Sequence, residues 1–224
     1  MPDAVMLFAA GFGTRMGALT RDRPKPLIEV AGRALIDHAL DLVAQAGASR
    51  QVANTHYHAA QVAAHLGGRG ILISDEQPAL LETGGGLKQA LPLLSADPVH
   101  TLNTDAVWRG PNPLAVLRTA WRPEMEALLL LVPKDRAVGH AGGGDFLQEP
   151  DGRLRRGPGL VYTGAQILRT GTVSGWPEDA FSLNPVWDAM AARGGLHGVV
   201  YAGAWCDVGR PEGIALAEAM LADA

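Results

Sequence analysis

The residues with the clearest chemical use lie near the start of the chain. A short apolar run, Val5 to Phe8, empties into the Gly-rich turn Ala9-Ala10-Gly11-Phe12-Gly13-Thr14, and Arg15 follows at once. Small residues let a backbone approach a ligand closely and let its N–H groups converge on an anion. Lys25 stands between two prolines, in Pro24-Lys25-Pro26, which restrict the backbone around it and limit where its ammonium points. A glycine-lined cradle with one arginine and one pinned lysine suits a polyphosphate. Further on, Asn103-Thr104-Asp105 closes a strand-like run that begins at Val99. A carboxylate at a strand's carboxyl end is placed to hold Mg²⁺ against phosphate oxygens, although an aspartate there also serves as an ordinary turn or helix cap.

The stretch Leu80-Leu81-Glu82-Thr83-Gly84-Gly85-Gly86 precedes a helix-like run from Leu87 to Leu94. Three glycines are poor helix interior, so they read as a flexible turn lying flat against a planar or phosphorylated ligand at a helix N-terminus, or as a plain surface turn. Two standard phosphate motifs are missing. Met16 occupies the third-glycine position of G-x-G-x-x-G, with Gly17 one residue late, and no G-x-x-x-x-G-K-[ST] loop occurs.

These groups need elements to position them, and the hydrophobic pattern supplies an α/β alternation. Strands are expected at Val5–Phe8, Gln51–Asn54, Ile71–Ile73, Val99–Asn103 and Ala127–Val132, with helices at Leu35–Ala46, Ala59–Leu66 and Pro113–Trp121 between them. Such alternation predicts right-handed βαβ units and a mostly parallel central sheet, with ligands at the carboxyl ends of its strands. From Pro133 to Gly159 the chain turns rich in glycine and proline, with short pieces at Phe146-Leu147-Gln148 and Leu154-Arg155 that read as a small β-ribbon. Leu160–Leu168 and His197–Tyr201 read as strands, and Pro211–Leu221 as a closing helix. His56 and His58 lie between a strand and a helix without a third ligand nearby, which suits loop or capping roles.

The string GxGTRM followed by PKPL resembles the signature of the sugar-1-phosphate nucleotidyltransferases, which join a nucleoside triphosphate to a sugar 1-phosphate and release pyrophosphate. LETGGG and Val107-Trp108 are similar to the bacterial group of N-acetylmuramate 1-phosphate uridylyltransferases and mannose-1-phosphate guanylyltransferase-like proteins. The resemblance implies a Rossmann-like three-layer fold with a sugar-binding β-ribbon, in one domain with a nucleotide part to about residue 132 and a sugar part from about 133. It implies that Ala9, Ala10, Gly11, Gly13, Thr14, Arg15 and Lys25 hold the nucleotide phosphates, and that Glu82, Thr83, Gly84 and Gly85 line the base pocket. Asp207, in Trp205-Cys206-Asp207-Val208-Gly209, matches the family's second metal aspartate beside Asp105, so both would hold Mg²⁺. Asn103, Gly144, Asp145, Glu149, Thr163, Gly164 and Trp205 fall at sugar-contacting positions, Trp205 being equally suited to a core. Glu149-Pro150 is similar to the start of the family's Glu-Lys-Pro motif, with Asp151 in place of the lysine. Within that reaction class LETGGG and Asp105-to-Trp108 point to uridylyl transfer, with UTP and N-acetylmuramate 1-phosphate as the expected substrates and GTP with mannose 1-phosphate as the alternative.

Composition narrows the rivals. With 224 residues, 47% hydrophobic and 19% charged, the chain is long enough to bury a sizeable core. Net charge is −4 with no run of Lys or Arg, which counts against nucleic acid or an anionic membrane as partner. Cys206 stands alone, so no intrachain disulfide is possible, and it reads as a small buried residue. No signal peptide or membrane span is evident, and a cytoplasmic monomer or weak homodimer is expected. A non-catalytic nucleotide-sugar sensor would be expected to lack phosphate or metal residues, and here Arg15, Lys25, Asp105 and Asp207 are all kept. An NAD-dependent oxidoreductase needs the missing third glycine and an acidic residue after the second strand, where Thr55 and His56 stand.

Overall fold

The computed structural model describes residues 2–223. Its centre is a seven-stranded sheet in the order Leu196–Val200, Ala127–Val132, Val161–Leu168, Val99–Asn103, Ala4–Phe8, Arg50–Thr55, Leu72–Asp75. Every neighbouring pair is parallel except the two made by Val161–Leu168, which runs against both its neighbours. The sheet is therefore mostly parallel, as the βαβ alternation predicts.

Successive residues of a strand point to opposite faces, and both faces here are apolar. Val5, Leu7, Leu128 and Leu130 pack with Ile36, Val43, Val62, Leu66, Leu114 and Leu117 from the helices Leu35–Ala46, Ala59–Leu66 and Pro113–Ala120. Ala4, Met6, Leu129 and Leu131 pack on the other face with Leu87, Leu94, Val186 and Met190 from the helices Glu82–Leu94 and Leu183–Ala192. The result is a sheet between two helical layers. Helix ends follow local chemistry. Gly47 takes a φ of 69° to stop the first helix, and the Asn112 side chain accepts the N–H groups of Leu114 and Ala115 to start another. No helix among the described residues is long and apolar enough to cross a membrane.

A second, smaller sheet was not apparent from the sequence. Ala204–Asp207 lies between Ala106–Arg109, antiparallel to it, and Ala137–Val138. Val107, Cys206 and Val208 pack there with Met16 and with Ala217 and Met220 of the last helix, Glu212–Ala222. Cys206 is fully buried, and burial followed by the charge of Asp207 pushes its thiol up to about 11, so it stays protonated and inert.

After the Gly-rich turn, Lys25–Leu27 forms a 3₁₀ turn, and Glu29–Val30 pairs with Arg33–Ala34 in a tiny hairpin. The glycines of LETGGG are not a flexible turn but the interior of the helix Glu82–Leu94, fully enclosed. Close packing explains them. A Cβ on Gly84 would overlap the Phe181 ring, one on Gly85 the Asp179 carbonyl, and one on Gly86 the Glu76 carboxylate. The residues Glu149 to Gly152 form the turn between Phe146–Gln148 and Leu154–Arg156, where Glu149 N–H is donated to the Arg153 carbonyl and Gly152 N–H to the Glu149 carbonyl, and Pro-Asp-Gly is turn chemistry.

Candidate active site

The carboxyl ends of Ala4–Phe8 and Val99–Asn103 open into a cleft of about 400 Å³. Its floor is the turn from Ala9 through Gly13, Thr14 and Arg15, and one side carries Lys25, Asn103, Thr104 and Asp105. Leu80, Glu82, Thr83 and Ser182 form the other side. Ala9, Ala10, Gly11, Gly13, Thr14, Arg15, Lys25, Glu82, Thr83, Asn103 and Asp105 thus come together as the sequence predicts.

The turn is shaped to bring Lys25 in. Gly13 adopts a φ of +64°, and a Cβ there would stand 2.9 Å from Thr20 Cγ2 and 3.0 Å from Lys25 Cβ, so only glycine fits. Thr20 closes the loop by donating its hydroxyl to the Gly13 carbonyl at 3.1 Å. Lys25 is nearly buried, and its Nζ donates to Asp105 Oδ2 at 2.7 Å. Arg15, by contrast, is exposed at the edge of the cleft.

Asp105 and Asp207 meet through the small sheet, where Asp207 pairs with Ala106 and Val208 N–H is donated to the Asp105 carbonyl at 2.9 Å. Asp207 does not itself line the cavity; its carboxylate flanks Gly209, which does, and a Cβ on Gly209 would lie about as close to Arg15 as to Asp207. Burial and then the negative charge of Asp105 push the Asp207 carboxyl above its ordinary range, while Lys25, Arg15 and His140 pull it down. Two carboxylates that repel each other at the edge of the cleft fit a divalent cation. Among the described residues no three His, Cys, Asp or Glu side chains converge as a metal cage. Two carboxylates suit a hard divalent cation that completes its shell with phosphate oxygens and water.

Other expected positions lie elsewhere. Gly84 and Gly85 are turned away from the cavity, and their N–H groups are donated to the Phe181 carbonyl at 2.8 and 3.0 Å, so they are not open to a ligand. Trp205 is buried and donates Nε1 to the Thr163 carbonyl at 3.0 Å; it is a core residue that ties the small sheet to the large one. Thr163 donates its hydroxyl to the Leu130 carbonyl at 2.7 Å inside the register shift of Val161–Leu168. Gly164, with a φ of +85°, lets that bulge pass beneath Asn103, where a Cβ would come within 2.7 Å. These two residues shape the cleft from below. Asp145 is already engaged by the Tyr162 N–H at 2.8 Å, and Gly144 packs on the backbone of Gly159. Glu149 pairs with Arg155 at 2.8 Å and Asp151 with Arg153, both at an exposed turn. Asn54, Leu80, Thr104, Ser182 and Gly209 line the cleft without having been singled out from sequence. Asn54 and Thr104 at strand ends carried a signal that could have found them; Ser182 carried none.

Residues 5–143 match the family described as the MobA-like NTP transferase domain. The chain belongs to that family. Across its whole length this NTP transferase is 43% identical to the N-acetylmuramate alpha-1-phosphate uridylyltransferase of Caulobacter vibrioides, of which it covers 98%. It is 35% identical to the enzyme of the same name from Neisseria meningitidis serogroup B, over 91% of this chain and 92% of that one. The fold is that of HddC from Yersinia pseudotuberculosis, solved in complex with GMP-PN: the TM-score is 0.79 at 20% identity, over 97% of this chain and 99% of that one. The transferase is accordingly an enzyme of sugar-1-phosphate nucleotidyl transfer, the reaction class that GxGTRM and PKPL pointed to.

Proposed function

We propose that this transferase joins UTP to N-acetylmuramate 1-phosphate, forming the UDP-sugar and pyrophosphate. The observation that carries the chemistry is the meeting of Lys25 and Asp105 beside the Gly-rich turn. The choice of substrates follows the two relatives of that activity, which match nearly end to end.

A sugar phosphate oxygen, already ionised near neutral pH, attacks the α-phosphate in line with the leaving pyrophosphate. No general base is required, so alignment and charge neutralisation remain as the tasks of the protein. Backbone N–H groups of the Ala10–Thr14 turn receive the triphosphate, and Arg15 grips the β- and γ-phosphates as they depart. Lys25, pinned by its prolines and by Asp105, balances charge on the reacting phosphates. Glu82 and Thr83 form the wall against the base, and Asn103 faces the sugar. Asp105 and Asp207 would hold Mg²⁺, which neutralises α-phosphate charge. We place the enzyme in the cytoplasm, as a monomer or weak dimer.

Pyrophosphate release, with UTP, GTP, dTTP, CTP and ATP crossed against N-acetylmuramate, N-acetylglucosamine, mannose and glucose 1-phosphates, tests the reading. The highest kcat/KM is expected for UTP with N-acetylmuramate 1-phosphate. Preference for GTP and mannose 1-phosphate would keep the chemistry and overturn the substrates, and silence throughout with nucleotide still bound would favour a sensor.

A further inference from the structure

A buried carboxylate outside the reacting constellation ties the two walls of the cleft together. Glu76, directly after the strand Leu72–Asp75, has no exposed surface. One of its oxygens accepts from the Asn54 side-chain amide at 2.5 Å, and the other from the backbone N–H of Leu81 at 2.8 Å. The Asn54 amide oxygen accepts in turn from the backbone N–H of Ala9 at 2.7 Å. A continuous chain of hydrogen bonds thus runs from the Gly-rich turn, through Asn54 and Glu76, to the residue before Glu82.

The polarity of this chain is fixed at both ends. The N–H of Ala9 can only donate, so Asn54 must present its oxygen to Ala9 and its NH₂ to Glu76. Leu81 N–H also can only donate. Glu76 therefore faces two donors, and an ionised carboxylate is the side chain that accepts at both oxygens. An amide or a protonated acid would set hydrogen against hydrogen. Burial of that charge disfavours it and raises the Glu76 pKa, so packing alone would be better served by an apolar residue. Gly86 leaves room for the carboxylate, and next to Leu81, which it holds, Glu82 adopts a φ of +60°, a conformation a non-glycine residue holds only when its surroundings fix it.

We propose that Glu76 is the positioning residue of the nucleotide pocket: its ionised carboxylate sets the spacing between the Ala9–Ala10 turn and the Leu81–Glu82 wall, and so the width of the slot that takes the base. The proposal rests on the uridylyl-transfer reading of the same cleft. Glu76 touches no reacting atom, so its loss acts on nucleotide affinity more than on the chemical step.

The test is UTP binding by calorimetry, with kcat and KM alongside, in Glu76→Gln, Asn54→Asp and the double variant Asn54→Asp/Glu76→Gln. Each single change places like groups face to face, and UTP binding should weaken at least about tenfold, with kcat changed much less. The double variant reverses the polarity: the introduced carboxylate accepts from Ala9 and from the introduced amide, whose oxygen accepts from Leu81. It should recover most of the lost affinity. Glu76→Gln binding UTP as the parent does, or a double variant no better than the weaker single one, would overturn the proposal. If the parent itself fails to bind UTP, the uridylyl reading fails separately. The network is then read from hydrogen exchange at Ala9 and Leu81, expected to be slow in the parent and fast in Glu76→Gln, and equal rates would overturn the proposal. Glu76→Gln that does not fold is replaced by Gly86→Ala, which crowds the same carboxylate and should likewise weaken UTP binding; unchanged binding there would count against it.

Discussion

Val208 donates its backbone N–H to the carbonyl of Asp105 at 2.9 Å, and this bond continues the pairing of Ala204–Asp207 with Ala106–Arg109 that brings Asp207 beside Asp105. The arrangement sets function against stability. Burial and the neighbouring Asp105 charge raise the Asp207 pKa, so its ionised form costs the fold something at neutral pH, and that cost disappears as pH falls below its folded pKa. Asp207→Asn should therefore raise the Tm of the metal-free protein while lowering Mg²⁺-dependent turnover by a hundredfold or more, as for other charge-stabilising groups. Scanning calorimetry and a pyrophosphate assay on the same preparation read both effects.

His100 gives a second pH signature, unconnected with the site. It is fully buried in the strand Val99–Asn103, and neither ring nitrogen has a hydrogen-bond partner. Burial, with help from the charge of Arg118, depresses its pKa from 6.5 to about 3. A depressed folded pKa means that the unfolded chain gains a proton first, so stability is lost as pH falls from 6.5 towards 3. His100→Leu should be more stable and should flatten that acid limb, measured as urea midpoints between pH 7 and pH 4.

Helical Gly→Ala changes ordinarily stabilise by about 1 kcal/mol. Gly85→Ala should do the reverse, because its Cβ would overlap the Asp179 carbonyl, and the segment that carries Phe181 and Ser182 would have to shift. A destabilisation of about 2 kcal/mol is expected from such overpacking, together with a raised KM for the nucleotide, since Ser182 lines the cleft.

Glu149→Ala and Asp151→Ala should leave kcat and both KM values within about twofold, and stability within about 0.5 kcal/mol, because each removes an exposed surface pair. Steady-state kinetics with both substrates varied checks this. A large rise in KM for the sugar phosphate would return these residues to the site.

What the sequence made legible was local. Lys25 could be located because two prolines and a Gly-rich turn specify backbone geometry within a few residues. The strand-and-helix order followed from hydrophobic period. The meeting of Asp105 with Asp207 was available only through family likeness, since it depends on a small sheet whose strands are distant in the chain. Gly84, Gly85 and Gly86 were misread because helix propensity counts a glycine's entropy and not the side chain that crowds it from another element. At Glu149-Pro150 the turn was legible from the Pro-Asp-Gly that the segment contains. Glu76 was invisible, because a glutamate between a strand and a loop looks solvent-facing until Asn54 and Leu81 are seen to enclose it.

The most direct test of uridylyl transfer is to follow the phosphorus. N-acetylmuramate 1-phosphate carrying ¹⁸O in its phosphate is incubated with UTP, Mg²⁺ and the enzyme, and the products are separated and weighed by mass spectrometry. Attack on the α-phosphate predicts that all of the label appears in the UDP-sugar and none in pyrophosphate. Label in the pyrophosphate, or a sugar bearing a terminal phosphate taken from UTP, would contradict the account.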